Sequence, residues 1–321
     1  MGVPTLGCEC PVCASTDVHD KRLRPSVMVR WRETEDGAGV GAGLEGADIE
    51  REGLGSIEAP EKLESGIEAD EKHTSVAKAT GRSAGFMPGI NPRPTAPRSL
   101  SEAFAGLERV VVIDTGPDFR EQALREKLTR VDAVFYTHSH ADHILGLDDL
   151  RPLSFEVARL GGTIPLYASS ETRAVLERIY EYTFSPDATY PNRARVRLEP
   201  LGERTSIRGV EFVRVPVMHG TMEIAGFRFG SAAYLTDVSD IPESSFALLE
   251  GLDHLVVSAL RYKPHPSHAT VDQAIGWARR IGAKQTWLTH IAHELGHEET
   301  NRALPDGVRL AYDGLTLEVN L

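Results

Sequence analysis

The feature that most constrains this chain is a cluster of three histidines and one aspartate, His-x-His-x-Asp-His, at residues 138–143. It follows directly on an apolar run, 131–136, which predicts a buried strand. Four ligand-type side chains within six residues fit neither strand nor helix periodicity, so they predict a loop that converges on a metal ion. A purely structural cluster is the less favoured interpretation, because such a set has few other uses.

A second cluster, Cys-x-Cys-x-x-Cys at residues 8–13, contains all three cysteines of the chain. In a reducing compartment, thiolates at this spacing predict a tetrahedral zinc site. A fourth ligand must then come from elsewhere in the chain. A redox pair or plain buried thiols are the alternatives, because three cysteines alone do not close a structural zinc site.

Length and composition place this chain among globular proteins. With 321 residues, 41% of them hydrophobic, it is long enough for one or two domains with a large core. It contains no run of 18 apolar residues, and its first residues lack the basic and apolar regions of a secretory signal. We therefore expect a soluble, cytoplasmic protein without a membrane partner.

Acidic residues are concentrated in one part of the chain. The net charge is −12, and residues 33–103 contain 14 acidic against 7 basic residues. Neither this part nor the remainder has a basic stripe long enough to follow a nucleic-acid backbone. The sequence therefore disfavours nucleic acid as a partner.

Residues 34–104 differ in composition from the rest of the chain. They are rich in Gly, Glu, Ala, Pro and Ser, with few aromatic residues and no sustained period. Such a segment buries too little apolar surface to offset the entropy of ordering it. We predict a disordered or weakly helical insertion between strands at 25–31 and 110–114, with a regulatory or docking arm as the alternative.

Apolar runs that lead to single ligand-type residues recur after residue 105. The clearest are the strands predicted at 207–217, 227–234 and 286–290, which lead to His219, Asp237 and His290. Strands alternate with helical patterns from 105 to 321, as is typical of layered α/β architecture. We expect a single domain over 1–321, interrupted by the insertion.

The His-x-His-x-Asp-His loop after a strand resembles the defining motif of the metallo-β-lactamase superfamily. The resemblance covers nearly all of 1–32 and 105–321. It implies an α/β fold, a four-layer αββα sandwich with a two-metal site on its edge. Members generally open with a strand before the Gly-Val-Pro-Thr stretch, so the resemblance also implies that an N-terminal strand is missing from this sequence.

The resemblance implies two catalytic divalent metal ions, zinc or manganese. The ligands it implies are His138, His140 and His219 for one ion, Asp142, His143 and His290 for the other, and Asp237 as a bridge. Because His140 stands where iron-redox members carry a carboxylate, hydrolysis is favoured. Two ions about 3.5–4 Å apart would hold a bridging hydroxide as the nucleophile.

The segment His268-Ala269-Thr270 resembles an element with which phosphodiesterase members protonate the leaving group. His268 is therefore a predicted catalytic residue, together with Asp142; His265 is the competing candidate. Deacylating members lack this element, so it favours a phosphodiester. Arg261 and Lys263 are candidates for binding a substrate phosphate, or else solvated surface charges.

Two further assignments come from the resemblance. Asp114 stands where members place a buried aspartate that orients the metal loop without binding the ion, although a turn or capping role is equally open. The three cysteines with His290-Ile291-Ala292-His293 resemble one branch, the phosphoribosyl 1,2-cyclic phosphate phosphodiesterases. There a structural zinc is held by residues matching Cys8, Cys10, Cys13 and His293. We interpret His254 and His297 as ordinary polar histidines.

The predicted function is metal-dependent hydrolysis of a small phosphodiester, cyclic substrates included. A thioester or lactone hydrolase of the same fold is the first alternative. A non-hydrolytic accessory protein of coenzyme biosynthesis is disfavoured by the complete ligand set, and a tRNA-maturation nuclease by the absence of a basic arm. The sequence leaves open the natural substrate, the catalytic metal and whether the chain forms a homodimer.

Overall fold

The computed structural model of the protein describes residues 2–32, 108–187 and 190–321. The predicted insertion at 34–104 lies outside these residues, so its disorder stays a prediction. The strands on either side of it pair antiparallel, and Arg32 lies opposite Glu108 at the end of the ladder. The described residues that flank this segment, Arg32 and Glu108, are therefore neighbours in one sheet.

Within the described residues, the first sheet has five strands, in the same order as along the chain. They are β1 (Val27–Arg32), β2 (Glu108–Ile113), β3 (Ala133–Phe135), β4 (Ile164–Ala168) and β5 (Val196–Pro200). β1 is antiparallel to β2, and β2 to β5 are mutually parallel. Parallel neighbours need a crossover connection, and helices provide it between these strands.

The second sheet has seven strands among the described residues, in the spatial order β12-β11-β10-β9-β8-β7-β6. They are β6 (Arg204–Ile207), β7 (Val210–His219), β8 (Met222–Phe229), β9 (Ala232–Leu235), β10 (His254–Ser258), β11 (Gln285–Thr289) and β12 (Val308–Leu310). β6 to β9 form an antiparallel meander, and β9 to β12 are parallel. Short turns join the antiparallel strands, and longer crossovers join the parallel strands.

Two strands predicted as continuous are each interrupted by a tight turn. The run 207–217 spans the end of β6 and most of β7, and the run 227–234 spans the end of β8 and most of β9. Arg208 and Gly209 both have positive φ, 50° and 85°, as two-residue hairpin turns that match strand twist require. Gly230, with φ 52°, starts the second turn. Apolar patterning continued across both turns, and so the sequence prediction missed them.

Helices flank the two sheets. They are α1 (Phe119–Arg125), α2 (Ala141–Ile144), α3 (Arg151–Arg159), α4 (Ser170–Ile179), α5 (Glu181–Phe184), α6 (Glu243–Phe246), α7 (Val271–Ile281) and α8 (His297–Ala303), with 3-10 turns at Val18–Asp20, Leu147–Leu150 and Ala247–Leu249. α7 begins with a capping box between Thr270 and Gln273 and ends before Gly282, whose φ is 70°. None of the helices in the described ranges is long and apolar enough to cross a lipid bilayer.

Alternate residues of the strands face different layers. Along β2, Val111 and Ile113 pack between the sheets against Phe227, whereas Val110 and Val112 pack on the opposite face beneath helices. On the outer face of the second sheet, a third buried cluster includes residues of α7. The order of layers is helix, sheet, sheet, helix, and the predicted αββα sandwich is confirmed.

Candidate metal centre

Seven ligand-type side chains converge where strands of both sheets end. They are His138, His140, Asp142, His143, His219, Asp237 and His290. Their donor atoms form two groups, each with separations within 4.8 Å, and His138, His140, His219 and Asp237 make up the first group, and Asp142, His143 and His290 the second. The sequence prediction divided the six residues other than Asp237 in the same way and made Asp237 a bridge, and metal binding by all seven stays a prediction.

The local chain path explains why these side chains meet. β3 ends at Phe135, the next residues form a loop that carries His138 and His140, and α2 presents Asp142 and His143 on one turn. The remaining ligand-type residues lie at the ends of strands of the second sheet. His219 is the last residue of β7, Asp237 follows β9, and His290 directly follows β11. Strand ends at the same edge of a sheet bring residues together that are far apart in sequence.

Asp237 lies between the two groups. Its Oδ2 is 3.7 Å from Nε2 of His138 and 3.9 Å from Nε2 of His219. Its Oδ1 is 3.4 Å from Nε2 of His143 and 3.2 Å from Nε2 of His290. One carboxylate oxygen therefore faces each group, which is the arrangement that a bridging ligand requires.

A hydrogen-bond chain fixes the tautomers of two of the histidines. Asp114 accepts from Nδ1 of His143 at 2.7 Å and from the Thr137 hydroxyl at 2.8 Å. Because that hydroxyl donates its proton to Asp114, it accepts from Nδ1 of His138, 3.0 Å away. Both imidazoles then carry a hydrogen on Nδ1, and Nε2, the nitrogen left for a metal ion, faces the centre of the site.

His219 is oriented by the main chain. Its Nδ1 donates to the backbone oxygen of Ser267 at 2.6 Å, so its Nε2 also offers a lone pair. Sequence reasoning missed Thr137 and Ser267. Thr137 could have been suspected as a hydroxyl next to the first histidine, whereas a backbone oxygen leaves no signal in the sequence.

Two buried nitrogen atoms test whether these residues fit a metal ion. Nε2 of His138 and Nε2 of His143 are shielded from solvent and have no hydrogen-bond partner among the described residues. Leaving buried polar atoms unsatisfied costs about 1–3 kcal/mol each. A cation in each group would satisfy one of these atoms, and the donor set of imidazoles and carboxylates suits divalent transition metals.

The electrostatics of the site also suit a cation. Burial lowers the pKa of His143, but the carboxylate of Asp114 outweighs it and raises this pKa to about 10. Burial raises the pKa of Asp237, but the neighbouring histidines, His290 first, hold it well below its usual range. Burial, together with the charge on His143, holds the pKa of His138 well below its usual range. The buried carboxylate of Asp237 thus faces several imidazoles, and one of them, His143, carries a proton that a divalent ion would displace.

The backbone is strained where it enters the site. Asp114, Asp237 and His290 have positive φ values of 63°, 55° and 52°, although none is a glycine. Such residues persist only where the surroundings hold them, and they cluster at functional sites. Gly116 shows how tightly the loop is held, because a Cβ there would lie 2.2 Å from the backbone oxygen of Asp142.

His268 lies against the ligand residues, and His265 lies one ring further out. The ring of His268 is 4.7 Å from that of His219 and 4.8 Å from that of His290, on which it stacks at 17°. His265 is 4.8 Å from His268, and its Nδ1 accepts from the backbone nitrogen of Ser267 at 3.3 Å. Burial, reinforced by the charge of His290, lowers the pKa of His268 to about 3. Of the two candidates for protonating the leaving group, His268 is the one that lies next to the candidate metal ligands.

The two candidate phosphate ligands differ in their surroundings. Arg261 forms an ion pair with Glu294, with Nη1 3.0 Å from Oε1, whereas Lys263 is exposed. Glu294 in turn is 3.8 Å from Nε2 of His293. Arg261 is thus tied to the side of the cysteine cluster, and a phosphate-binding role for either residue stays a prediction.

The three cysteines surround one histidine. Nδ1 of His293 lies 3.1 Å from Sγ of Cys8 and 3.5 Å from Sγ of both Cys10 and Cys13. The backbone N–H of Cys13 donates to Cys10, and this hydrogen bond lowers the pKa of the Cys10 thiol to about 7. Three thiols and an imidazole within 4.8 Å match the donor set of a closed structural zinc site.

Arg22 holds the N-terminal segment in place independently of any ion. Its buried guanidinium donates to the backbone oxygens of Ala292 and Leu295, at 3.2 and 2.6 Å, and it pairs with Asp20. This arginine lies in no motif, so sequence reasoning missed it. Together with the cysteine cluster, it fastens the start of the chain to the segment after β11.

Comparison with known proteins agrees with this architecture. The model of one protein family, described as a beta-lactamase superfamily domain, matches residues 109–291. A solved structure of a diphosphatase from the PhnP family is 41% identical, covers 100% of this chain and 95% of its own, and gives a TM-score of 0.70. Zinc-bound PqqB from Methylobacterium extorquens, 17% identical over 99% of this chain and 96% of its own, shares the fold with a TM-score of 0.57.

A curated relative has a different activity in its name. An octanoyltransferase of Porphyromonas gingivalis is 28% identical over 318 residues, which is 98% of this chain. The matched region is 48% of that protein, so this chain spans about half its length.

Proposed function

The chain belongs to the metallo-β-lactamase superfamily, and from that premise we propose that it is a binuclear metal-dependent hydrolase that cleaves a phosphodiester or diphosphate linkage in a small molecule. The observation that carries the proposal is the position of His268, stacked on His290 beside both groups of ligands. The 41% identity to a PhnP-family diphosphatase over the whole chain supports the same class of bond.

The seven converging side chains are the proposed ligands of two divalent ions. When bound, these ions would supply Lewis acidity and neutralise charge on the phosphoryl group. The protein's contribution is orientation: Asp114 and Thr137 hold the rings of His138 and His143 so that Nε2 of each faces the centre of the site. The Cys3His cluster is the proposed structural zinc site.

The two carboxylates among the proposed ligands, Asp237 and Asp142, differ in their exposure to solvent and in their proposed roles. The side chain of Asp237 is 3% exposed and lies between the groups, so it holds them together. The side chain of Asp142 is 29% exposed, and its Oδ2 is 3.7 Å from Nε2 of His290. Asp142 is therefore the carboxylate that solvent can reach, and it can accept a hydrogen bond from the attacking water and orient it.

His268 is the proposed proton donor to the leaving group. Its lowered pKa leaves the imidazole neutral near pH 7 in the free protein. A phosphate anion next to the ring favours the charged form and raises this pKa, so His268 gains its proton together with the substrate. It passes that proton to the leaving oxygen as the P–O bond breaks. A linkage with a poor leaving group benefits most from this step.

Hydrolysis of an acyl compound is the second candidate, and one observation favours it. The curated relative that matches nearly all of this chain is named an octanoyltransferase. Because the match spans about half of that protein, the named activity can belong to its other half. A thioester or lactone is therefore the second substrate class to test.

The test is a substrate panel with protein whose metal content has been measured. Wild-type protein and the variants His268→Ala and Asp237→Asn are assayed with a cyclic phosphodiester, a dinucleoside diphosphate, an acyl thioester and a lactone. We expect turnover of a phosphorus substrate in the wild type, slowed in His268→Ala and absent in Asp237→Asn, which controls for contaminating enzymes. Turnover of the thioester or lactone alone, by protein holding two ions, would overturn the proposal.

A further inference from the structure

A third cluster of ligand-type side chains lies apart from the two sites described above. It contains His19, from the 3-10 turn Val18–Asp20, and His297 and Glu298, which begin α8. One donor atom from each lies within 4.8 Å of the others. We propose that this cluster is an additional binding site for a divalent transition-metal ion such as zinc. This inference does not depend on the proposed hydrolytic function.

The surroundings of the two histidines leave ring nitrogen atoms available. Nδ1 of His19 is 3.3 Å from Oδ1 of Asp17, and a carboxylate at that distance favours the tautomer with the hydrogen on Nδ1. Nε2 of His19 then carries the lone pair that a metal needs. A carboxylate behind a histidine in this way is the usual support of a metal ligand.

His297 provides the second observation. The residue is 6% exposed, and its Nδ1 is buried without a hydrogen-bond partner among the residues that the structure describes. A buried nitrogen in that state is unfavourable unless something satisfies it.

The two imidazole rings are held close together. Their centroids are 4.7 Å apart with a tilt of 30°, and Tyr312 packs edge-on against His19 at 4.7 Å and against His297 at 5.9 Å. The backbone N–H of His297 donates to Asp20 at 2.8 Å, which ties the turn to the start of α8. The ligands therefore come from segments that already touch, so binding an ion requires little ordering.

The geometry predicts that this site binds zinc less tightly than the cysteine cluster does. Tetrahedral zinc with bonds of about 2.0–2.1 Å places donor atoms about 3.3 Å apart, closer than the 4.8 Å limit within which these atoms lie. Glu298 is exposed and the side chain of His19 is 39% exposed, so these two can rotate inward while His297 stays fixed. Three protein ligands leave a fourth position for water.

Zinc titration of the full chain with its resident ions in place tests the site. Wild-type protein, dialysed without chelator and analysed for bound metal, is titrated with zinc by calorimetry. We expect one further equivalent of zinc in the wild type, and its loss in His19→Ala and in His297→Ala. His254→Ala is the matched control, because His254 is half-buried like His19 but its Nδ1 accepts a hydrogen bond from Nε1 of Trp287 at 3.5 Å.

A second readout is the melting temperature. Added zinc should raise it in the wild type and in His254→Ala, because an ion bound by the native state stabilises that state, but not in His19→Ala. If His297→Ala does not fold, Glu298→Gln replaces it. The proposal is overturned if wild type and ligand variants take up the same number of ions. Loss of the resident ions or of turnover would instead bear on the proposed function, so the two failures are distinguishable.

Discussion

The carboxylate of Asp114 accepts a hydrogen bond from Nδ1 of His143 at 2.7 Å, across 29 residues of sequence. The other donors to this carboxylate are the backbone N–H and the hydroxyl of Thr137, both at 2.8 Å. One buried side chain thus fixes the start of the loop and one of its imidazoles. Of the two roles that the sequence left open for Asp114, this geometry favours orienting the metal loop over capping a turn.

Replacing Asp114 with Asn should weaken metal binding. An amide has one oxygen for three donors, so His143 or Thr137 loses its acceptor. We expect affinity at the binuclear site to fall about 10- to 100-fold, the usual effect of losing such a support. Competition with a chelator of known affinity measures it. Asp118→Asn is the control, because Asp118 pairs with Arg24 outside the site; equal affinities in the two variants would contradict the assigned role.

Metal content should follow the donor counts. We expect about two ions at the binuclear site and one zinc at the cysteine cluster after dialysis that removes weakly bound metal. Elemental analysis of protein purified without chelator measures this number. Chelation should abolish turnover, and added divalent metal should restore it. Fewer than two ions per chain in a folded, metal-supplemented sample would be incompatible with the proposed centre.

Replacing Cys10 with Ser should affect stability more than catalysis. A closed tetrahedral site has no open position for substrate, so its loss should remove about one zinc and lower the melting temperature. Turnover per folded molecule should fall much less, since Arg22 still binds the backbone oxygens of Ala292 and Leu295. Loss of chemistry in a folded variant that retains both catalytic ions would show that the cluster is not structural.

Replacing His268 with Ala should have the opposite effect. Metal content and melting temperature should stay near the wild-type values, while phosphodiester cleavage slows about 10²- to 10⁴-fold, the usual scale for a positioned proton donor. The slowing should shrink for substrates with good leaving groups, which need little protonation. His265→Ala is the control, because that ring lies outside His268. Unchanged cleavage of a poor-leaving-group diester by His268→Ala would exclude it as the proton donor.

Deleting residues 34–104 should leave the fold intact. Arg32 and Glu108 are paired across β1 and β2, so a short turn can join the strands without moving either one. Shortening a loop changes its closure entropy only slowly, and we expect cooperative melting and near-normal turnover. Thermal denaturation and the diester assay measure the outcome. Loss of cooperativity or solubility would show that the segment packs on the rest of the protein.

The ligand-type residues that meet at the candidate site could be predicted from the sequence because metal ligands restrict residue types strongly. The His-x-His-x-Asp-His loop and the cysteine spacing stand out locally, and their resemblance to the superfamily supplied the fold and the distant partners His219, Asp237 and His293. The limits of the strands were predicted less accurately. A two-residue turn such as Arg208-Gly209 leaves the apolar pattern almost unbroken, although it reverses the chain.

The tertiary structure decided how each ligand is held. The lone pairs of His138 and His219 are oriented by a neighbouring hydroxyl and by the backbone oxygen of Ser267, and sequence patterns do not encode which oxygen lies behind a ring. His297 shows the same limit, since it was interpreted from the sequence as an ordinary polar histidine. Its burial beside His19, 278 residues earlier in the chain, arises only when the N-terminal turn packs on α8. Residue type fixes what a side chain can bind, but long-range packing decides which atoms face each other and which stay unsatisfied.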